Sequence, residues 1–411
     1  MTKSVIVIPS IYAFQSHTGN TDWSVKWIFH GVASIISYVK SKGLQLNLVD
    51  MRRCNDWVDY LKKIDGCDMI FFTVATPDFH FFMNDVMRIT KAKCPNAKII
   101  VGGIHPTMKP EDFRDDERVD YIVKGEGEIA TEKILKNEIT EREFWAEHPD
   151  VNDIPPIDRA LWESEYPIGI DFSGQERFYT MFTSRACVYN CSFCQPFART
   201  MFGKGERRRE VAKVIEEMKQ LKAQQMNSFM IHDDGFVQNK KWIDEFVETY
   251  KQNFEPMPFI IQIRANHLCD EDLIGKLKSI GLEWVIVGFE SGSDNVLKIL
   301  RKGTTREMNL QAARTARKLG VKVFANIMYG IPGETKDDVL QTVSMLKEIK
   351  PDLYSPATYS PYAGSDLYEY CKKNDLIITE YADRTFGTPK LKGIDYEFLN
   401  SAAAQIPIRR N

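Results

Sequence analysis

The sequence predicts an α/β protein made of two parallel-sheet domains in series, and three observations carry that prediction. Short apolar, β-branched segments alternate with helix-length segments along most of the chain. The alternation breaks once, at the proline- and acid-rich stretch EHPDVNDIPPIDRALW (147–162). Glycine-rich or cysteine-rich loops follow the strands, where open α/β sheets bind ligands.

In the first half, strands are expected at Ser4–Ile8, Gln45–Val49, Met69–Ala75, Lys98–Gly102 and Asp120–Val123. Helix-length segments separate them. In Trp23–Lys42, for example, Trp27, Ile28, Ile35 and Val39 recur at helical spacing. Five such units predict a doubly wound, Rossmann-like parallel sheet over residues 1–138. Ligands of such sheets lie beyond the carboxyl ends of the strands, and three unusual loops fall there: ATPDFH, GGIHP and KGEGE. Their candidate binding residues are Thr76, Gly102, Gly103, His105, Gly125, Glu126 and Gly127. Glycines there let backbone approach a ligand or adopt positive φ, although any one of them alone reads equally well as an ordinary turn residue.

A linker is expected at 139–172, then a second series over 173–370 with strands at Tyr179–Ser184, Ser228–His232, Phe259–Arg264, Trp284–Phe289, Lys322–Met328 and Leu353–Tyr359. Helices such as Val211–Ala223 and Arg306–Leu319 intervene. Six units without a seventh or eighth predict a partial (β/α)6 barrel, open on one side. Residues 371–411 form a short C-terminal tail. The basic run KGERRRE (204–210) reads as a solvated loop or a phosphate contact. Tyr354, Tyr359 and Tyr362 read as cavity lining or as packing.

Composition excludes several classes. Of 411 residues, 43% are hydrophobic and 27% charged, as in a folded globular chain. A net charge of −3 gives no field that would draw the protein to nucleic acid. Apolar runs such as MIFFTVA are strand-sized, so no membrane span is expected. MTKSVIVIP lacks the pattern of a secretion signal, and eight cysteines without a scaffold spacing suggest free thiols in reducing cytoplasm.

Cys187, Cys191 and Cys194 stand apart from the rest. Spacing C-x₃-C-x₂-C brings three thiolates to one side of a short loop, enough for three corners of a [4Fe-4S] cubane and one open iron. Zinc is the competing reading, with His232 as fourth ligand. Cys54, Cys67, Cys94, Cys269 and Cys371 are scattered and read as free thiols.

The segment TSRACVYNCSFCQPF (183–197) resembles the signature loop of the radical S-adenosylmethionine (SAM) enzymes. The resemblance continues through FMIHDDGF (229–236), IQIRAN (261–266), VIVGFESGSD (285–294), NIMYGIPGET (326–335) and YSPYAGSDLY (359–368). It implies that the three cysteines bind the cluster and that SAM chelates the fourth iron. It further implies Phe193, Asp233, Asp234, Arg264, Glu290 and Ser291 as SAM contacts, with Arg264 a partner for the SAM carboxylate. As barrel salt bridge and helix cap, Arg264 and Asp234 also have plain structural readings.

KIIVGGIHPTMKPE (98–111) and VDYIVKGEGE (119–128) resemble the cobalamin-binding domain that precedes the barrel in one class of these enzymes. Methylthio-transferring relatives carry a second cysteine trio in this half, and Cys54, Cys67 and Cys94 lack its context. The loop with His17 lacks the Asp-x-His-x-x-Gly of cobalt-ligating histidines. Asp78 and His80 follow the wrong strand, so no protein histidine on cobalt is expected. The resemblance implies a class B-like methyltransferase acting on an unactivated carbon through a 5′-deoxyadenosyl radical and methylcobalamin. Its substrate would be a small molecule or lipid, and its one-electron donor a flavodoxin or ferredoxin. A non-methylating cyclase or rearrangement enzyme, and a cobalamin sensor or carrier with a structural cluster, are the alternatives.

Overall fold

The computed structural model describes residues 2–14, 28–162, 178–194, 197–380 and 386–406. The chain divides into two compact units, residues 1–171 with 196–203, and 172–195 with 204–411.

The first unit is a six-stranded, all-parallel sheet of β1 (Ser4–Ile8), β2 (Asn47–Asp50), β3 (Met69–Thr73), β4 (Lys98–Gly102), β5 (Tyr121–Lys124) and β6 (Glu143–Trp145), in the order β2-β1-β3-β4-β5-β6. Helices cover both faces. Ile6, Met69, Phe71, Ile100 and Val123 pack with helices His30–Ser41 and Gly127–Leu135. On the other face Phe72 meets Phe82, with ring centroids 4.9 Å apart, and Tyr60 reaches the Thr90 hydroxyl. All five residues of β1 are therefore buried, as a two-sided sheet requires. The sixth strand was not expected. Its EFW sequence looks solvated, but Glu143 accepts from Arg114 at 2.6 Å and Lys124 at 2.7 Å, which ties the edge strand down. Within the stretch expected as linker, Trp162 is 2% exposed and packs into this core.

The second unit is another six-stranded parallel sheet: β7 (Phe178–Met181), β10 (Ser228–Ile231), β11 (Phe259–Ile263), β12 (Leu282–Glu290), β13 (Lys322–Tyr329) and β14 (Leu353–Thr358), in strictly sequential order. A small antiparallel ribbon joins β8 (Ser184–Arg185) to β9 (Arg207–Arg208). The single strand expected over Tyr179–Ser184 is thus two, divided at Phe182 and Thr183. Burial alternates along β13: Val323, Ala325, Ile327 and Tyr329 enter the helix-packed core, while Phe324, Asn326 and Met328 stay partly exposed. Tyr354 belongs to that core, its hydroxyl 2.9 Å from that of Tyr329, and Tyr359 is buried in a smaller cluster with Leu367. The tail contributes the helix Tyr396–Ala403, whose Leu399 and Ala402 complete the main core.

Candidate active site and ligand-binding edge

The cysteine loop follows β8 at the carboxyl edge of the second sheet. It starts from Ala186, held at φ 74, and is docked at several points. Ser192 donates from its backbone to the carbonyl of Leu300 at 2.9 Å and from its hydroxyl to that of Ile299 at 2.7 Å. At the loop's base, Asp233 is fully enclosed and accepts from the Thr183 amide at 2.6 Å, the Ser184 hydroxyl at 2.7 Å and the Thr183 hydroxyl. Arg208 lies 3.8 Å from the same carboxylate, with its guanidinium 4.6 Å from the Trp242 ring. KGERRRE is thus neither a solvated loop nor a phosphate contact at Arg208 and Arg209. Arg208 also bonds the Gly235 carbonyl, and Arg209 pairs with Glu217.

Cys187 and Cys191 are partly exposed and Cys194 is exposed. Burial by surrounding atoms, then the charges of Cys191, Asp234 and Cys187, push the Cys194 thiol up to about 12. Cys191 and Cys187 thus stand near enough for their charges to act on Cys194. Three thiolates at close quarters repel one another, so only a cationic centre holds them ionised together. Among the described residues no three His, Cys, Asp or Glu side chains are grouped to hold a single metal ion. His232, the suggested fourth zinc ligand, instead lies 3.2 Å from the Gln262 amide. Three thiolates and no fourth described ligand are the donor set of a cubane with one iron left open.

Around the cysteines the expected contacts separate into two groups. Asp234 is exposed on the same wall, its carboxyl raised to about 6 by burial and by Asp233. Glu290 sits at φ 62, a left-handed conformation that costs a non-glycine residue on the order of 1–3 kcal/mol. A buried ion pair with Lys302 at 2.8 Å holds it there, where the β12–β13 register shifts. Gly288 makes room for that pair, since a Cβ there would lie 2.3 Å from Glu290 Oε1. Lys302 also lies 5.8 Å from the Phe193 ring and offsets only a small part of the rise of the Cys194 thiol. Arg264, at the end of β11, donates to Cys191 Sγ at 3.2 Å. In the other group, Asp233 and Ser291 are buried and spent on structure. Ser291 is 0% exposed with its hydroxyl 3.0 Å from Thr342, so both side chains brace the strand ends. Lys302, Tyr189 and Gln238, whose amide is 3.9 Å from Cys187 Sγ, went unnoticed in the sequence. Only the position of Lys302, shortly after the GFESGSD segment, hinted at it.

The edge of the first sheet is built differently. Gly103 has φ 96, and a Cβ there would lie 2.9 Å from Thr73 Oγ1 and 3.1 Å from the Val74 amide. Gly125 has φ 92, with its amide bonded to Thr107 Oγ1 at 3.1 Å. Gly102 ends β4 with only ordinary contacts, and Gly127 lets its helix close on Ile35. Three expected ligand contacts prove to be enclosed: Thr76, His105 and Glu126. His105 Nε2 lies 3.0 Å from Asp112, Nδ1 lies 3.4 Å from Thr76, and the Phe79 ring packs at a tilt, 4.3 Å between centroids. Burial holds its pKa down to about 4. Glu126 lies 3.1 Å from His148. These side chains brace the loops, in which Gly103 is partly exposed and Gly125 is buried. Asp78 accepts from the Ile11 amide at 2.8 Å. His17 lies outside the described residues.

Two family descriptions match this chain: the Radical SAM superfamily over residues 181–346 and the B12 binding domain over residues 25–135. The chain belongs to the cobalamin-binding radical SAM family. It is accordingly an enzyme whose cofactors are a [4Fe-4S] cluster, SAM and cobalamin. An uncharacterized methyltransferase of Pyrococcus horikoshii is 29% identical over 342 residues, which cover 79% of this chain and 73% of the relative. The anaerobic magnesium-protoporphyrin IX monomethyl ester cyclase of Rubrivivax gelatinosus is 26% identical, over 92% of this chain and 72% of the relative. The radical SAM methyltransferase TsrM of Kitasatospora setae, solved with tryptophan and a SAM analogue bound, shares the fold. Its TM-score is 0.69 at 18% identity, over 97% of this chain and 82% of that one. No helix among the described residues of this radical SAM enzyme is long and apolar enough to cross a membrane.

Proposed function

We propose that this radical SAM enzyme transfers a methyl group to an unactivated carbon of a small molecule or lipid. The observation that carries the reading is the presence, in one chain, of a cysteine-loop sheet and a B12-type sheet, each with its ligand-binding edge built. When bound, the cluster and SAM supply one-electron bond cleavage, and cobalamin supplies a methyl carrier. Cys187, Cys191 and Cys194 hold three corners of the cluster. Asp234, Phe193 and the Glu290–Lys302 pair form the wall on which SAM is oriented. Gly103, partly exposed at the sheet edge, gives cobalamin a backbone surface without a projecting side chain. Asp233 and Arg208 fix the cysteine loop so that these groups keep their spacing. A flavodoxin or ferredoxin of the reducing cytoplasm supplies the electron.

A second reading is kept by the similarity to the cyclase, which extends over 92% of this chain. The deciding experiment compares small-molecule and lipid extracts of cells with and without the gene, then assays the candidate substrate with methyl-labelled SAM. Methyl transfer predicts a product heavier by one methylene that carries the label, with S-adenosylhomocysteine and 5′-deoxyadenosine formed in comparable amounts. A transformed but unlabelled product, with 5′-deoxyadenosine alone, would establish the second reading.

A further inference from the structure

The geometry points to Arg264 as a positioning residue that raises the reduction potential of the cluster, in place of the SAM-carboxylate role its sequence context suggested. The inference rests on the reading that Cys191 ligates iron. Arg264 Nη1 donates to Cys191 Sγ at 3.2 Å, and Nη2 donates to the carbonyl of Lys302. Its guanidinium carbon stands 3.6 Å from the centre of the Tyr189 ring. Tyr189 is fixed in turn by the segment that carries Arg264. Its hydroxyl lies 2.6 Å from His267 Nε2 and accepts from Asn266 Nδ2 at 3.3 Å. The stretch RANH therefore grips the cysteine loop at two points, through Tyr189 and through a ligand sulfur. The enclosed Nε is left with no protein acceptor among the described residues, while each terminal nitrogen already gives one of its two hydrogens to Cys191 Sγ or the Lys302 carbonyl.

A hydrogen bond and a fixed positive charge at a ligating sulfur draw electron density from it. Both stabilise the reduced cluster, which carries one more negative charge, and so make reduction easier. Arginine suits the task because its planar fork bridges sulfur and carbonyl while its face lies on an aromatic ring. Lysine keeps the charge but loses the fork and the stacking.

The test is a redox titration, followed by electron paramagnetic resonance, of the anaerobically reconstituted full chain without SAM. Wild type, Arg264→Gln and Arg264→Lys are compared. Reduction of the Gln variant is expected to be about tenfold less favourable, a midpoint ~59 mV more negative, with the Lys variant in between. Equal midpoints in all three proteins would overturn the inference. So would midpoints that separate only when SAM is added, the outcome of a carboxylate partner. If Arg264→Gln holds no iron, Arg264→Lys decides by the same criterion. A wild-type chain that binds no four-iron cluster overturns the proposed function as well, whereas a normal cluster with unshifted midpoints overturns this inference alone.

Discussion

The two sheets have six parallel strands each, yet they bind ligands by different means. In the first, β1 lies between β2 and β3, so successive crossovers leave in opposite directions and helices cover both faces. Nothing but the edge remains for a ligand, and that edge is shaped by glycines over enclosed braces such as His105 and Thr76. In the second, strand order follows chain order, so right-handed crossovers put the helices on one face. The other face keeps partly exposed residues such as Phe324 and Met328, and its edge carries cysteines, an arginine and an ion pair. Winding topology, more than strand composition, decides whether a parallel sheet offers a ligand only its rim or a face as well.

The sharpest break of that comparison is at the cysteines. Replacing Cys187, Cys191 or Cys194 with alanine is expected to abolish the charge-transfer absorption of the reconstituted protein and its bound iron. Alanine at Cys54, Cys67 or Cys94, all buried in the first unit, should leave both intact. Iron that depends on the first-unit thiols would dissolve the division of labour between the sheets.

Next in size is Asp233→Ala, which strands Arg208 and three hydrogen-bond donors inside the second unit. A loss of about 3–5 kcal/mol is expected from breaking such a buried network, together with reduced iron occupancy. Denaturant unfolding and iron analysis measure both. A variant with wild-type stability would refute the bracing role.

Acid probes the first edge. Folded His105 stays neutral down to about pH 4, while the unfolded side chain titrates near 6.5. Between these values the unfolded chain binds the extra proton, so stability falls as pH drops from 6.5 toward 4 and is unchanged above. The full window amounts to roughly 3 kcal/mol. His105→Asn should flatten this part of a stability-against-pH curve. His232 in the second unit has the same depressed pKa, so the remaining slope should fall in the same direction.

The smallest effect on stability is expected at Gly103. A valine there meets Thr73 and a forbidden backbone region, at a cost of about 1–3 kcal/mol. Cobalamin retention should drop while iron content holds. Unchanged cobalamin binding would remove the loop after β4 from the ligand edge.

Much of the fold was open to reading because burial leaves a periodic trace. SVIVI reads as a strand buried on both faces, and KVFANIMY as one buried on a single face, since each pattern repeats the pleat of its sheet. Glu143–Trp145 escaped because its stability comes from Arg114 and Lys124, distant partners that local composition cannot reveal. The cysteine trio was equally legible: metal-ligand spacing is a local property of the chain.

Which charged neighbours of the trio face the cofactor wall was decided only in three dimensions. Asp233 and Asp234 are adjacent and chemically identical, yet one is enclosed by Thr183 and Ser184 and the other is exposed. Glu290 and Ser291 part in the same way, toward Lys302 and toward Thr342. Successive residues at a strand end point in opposite directions, and only the packing of helices and loops around that end determines which direction is interior.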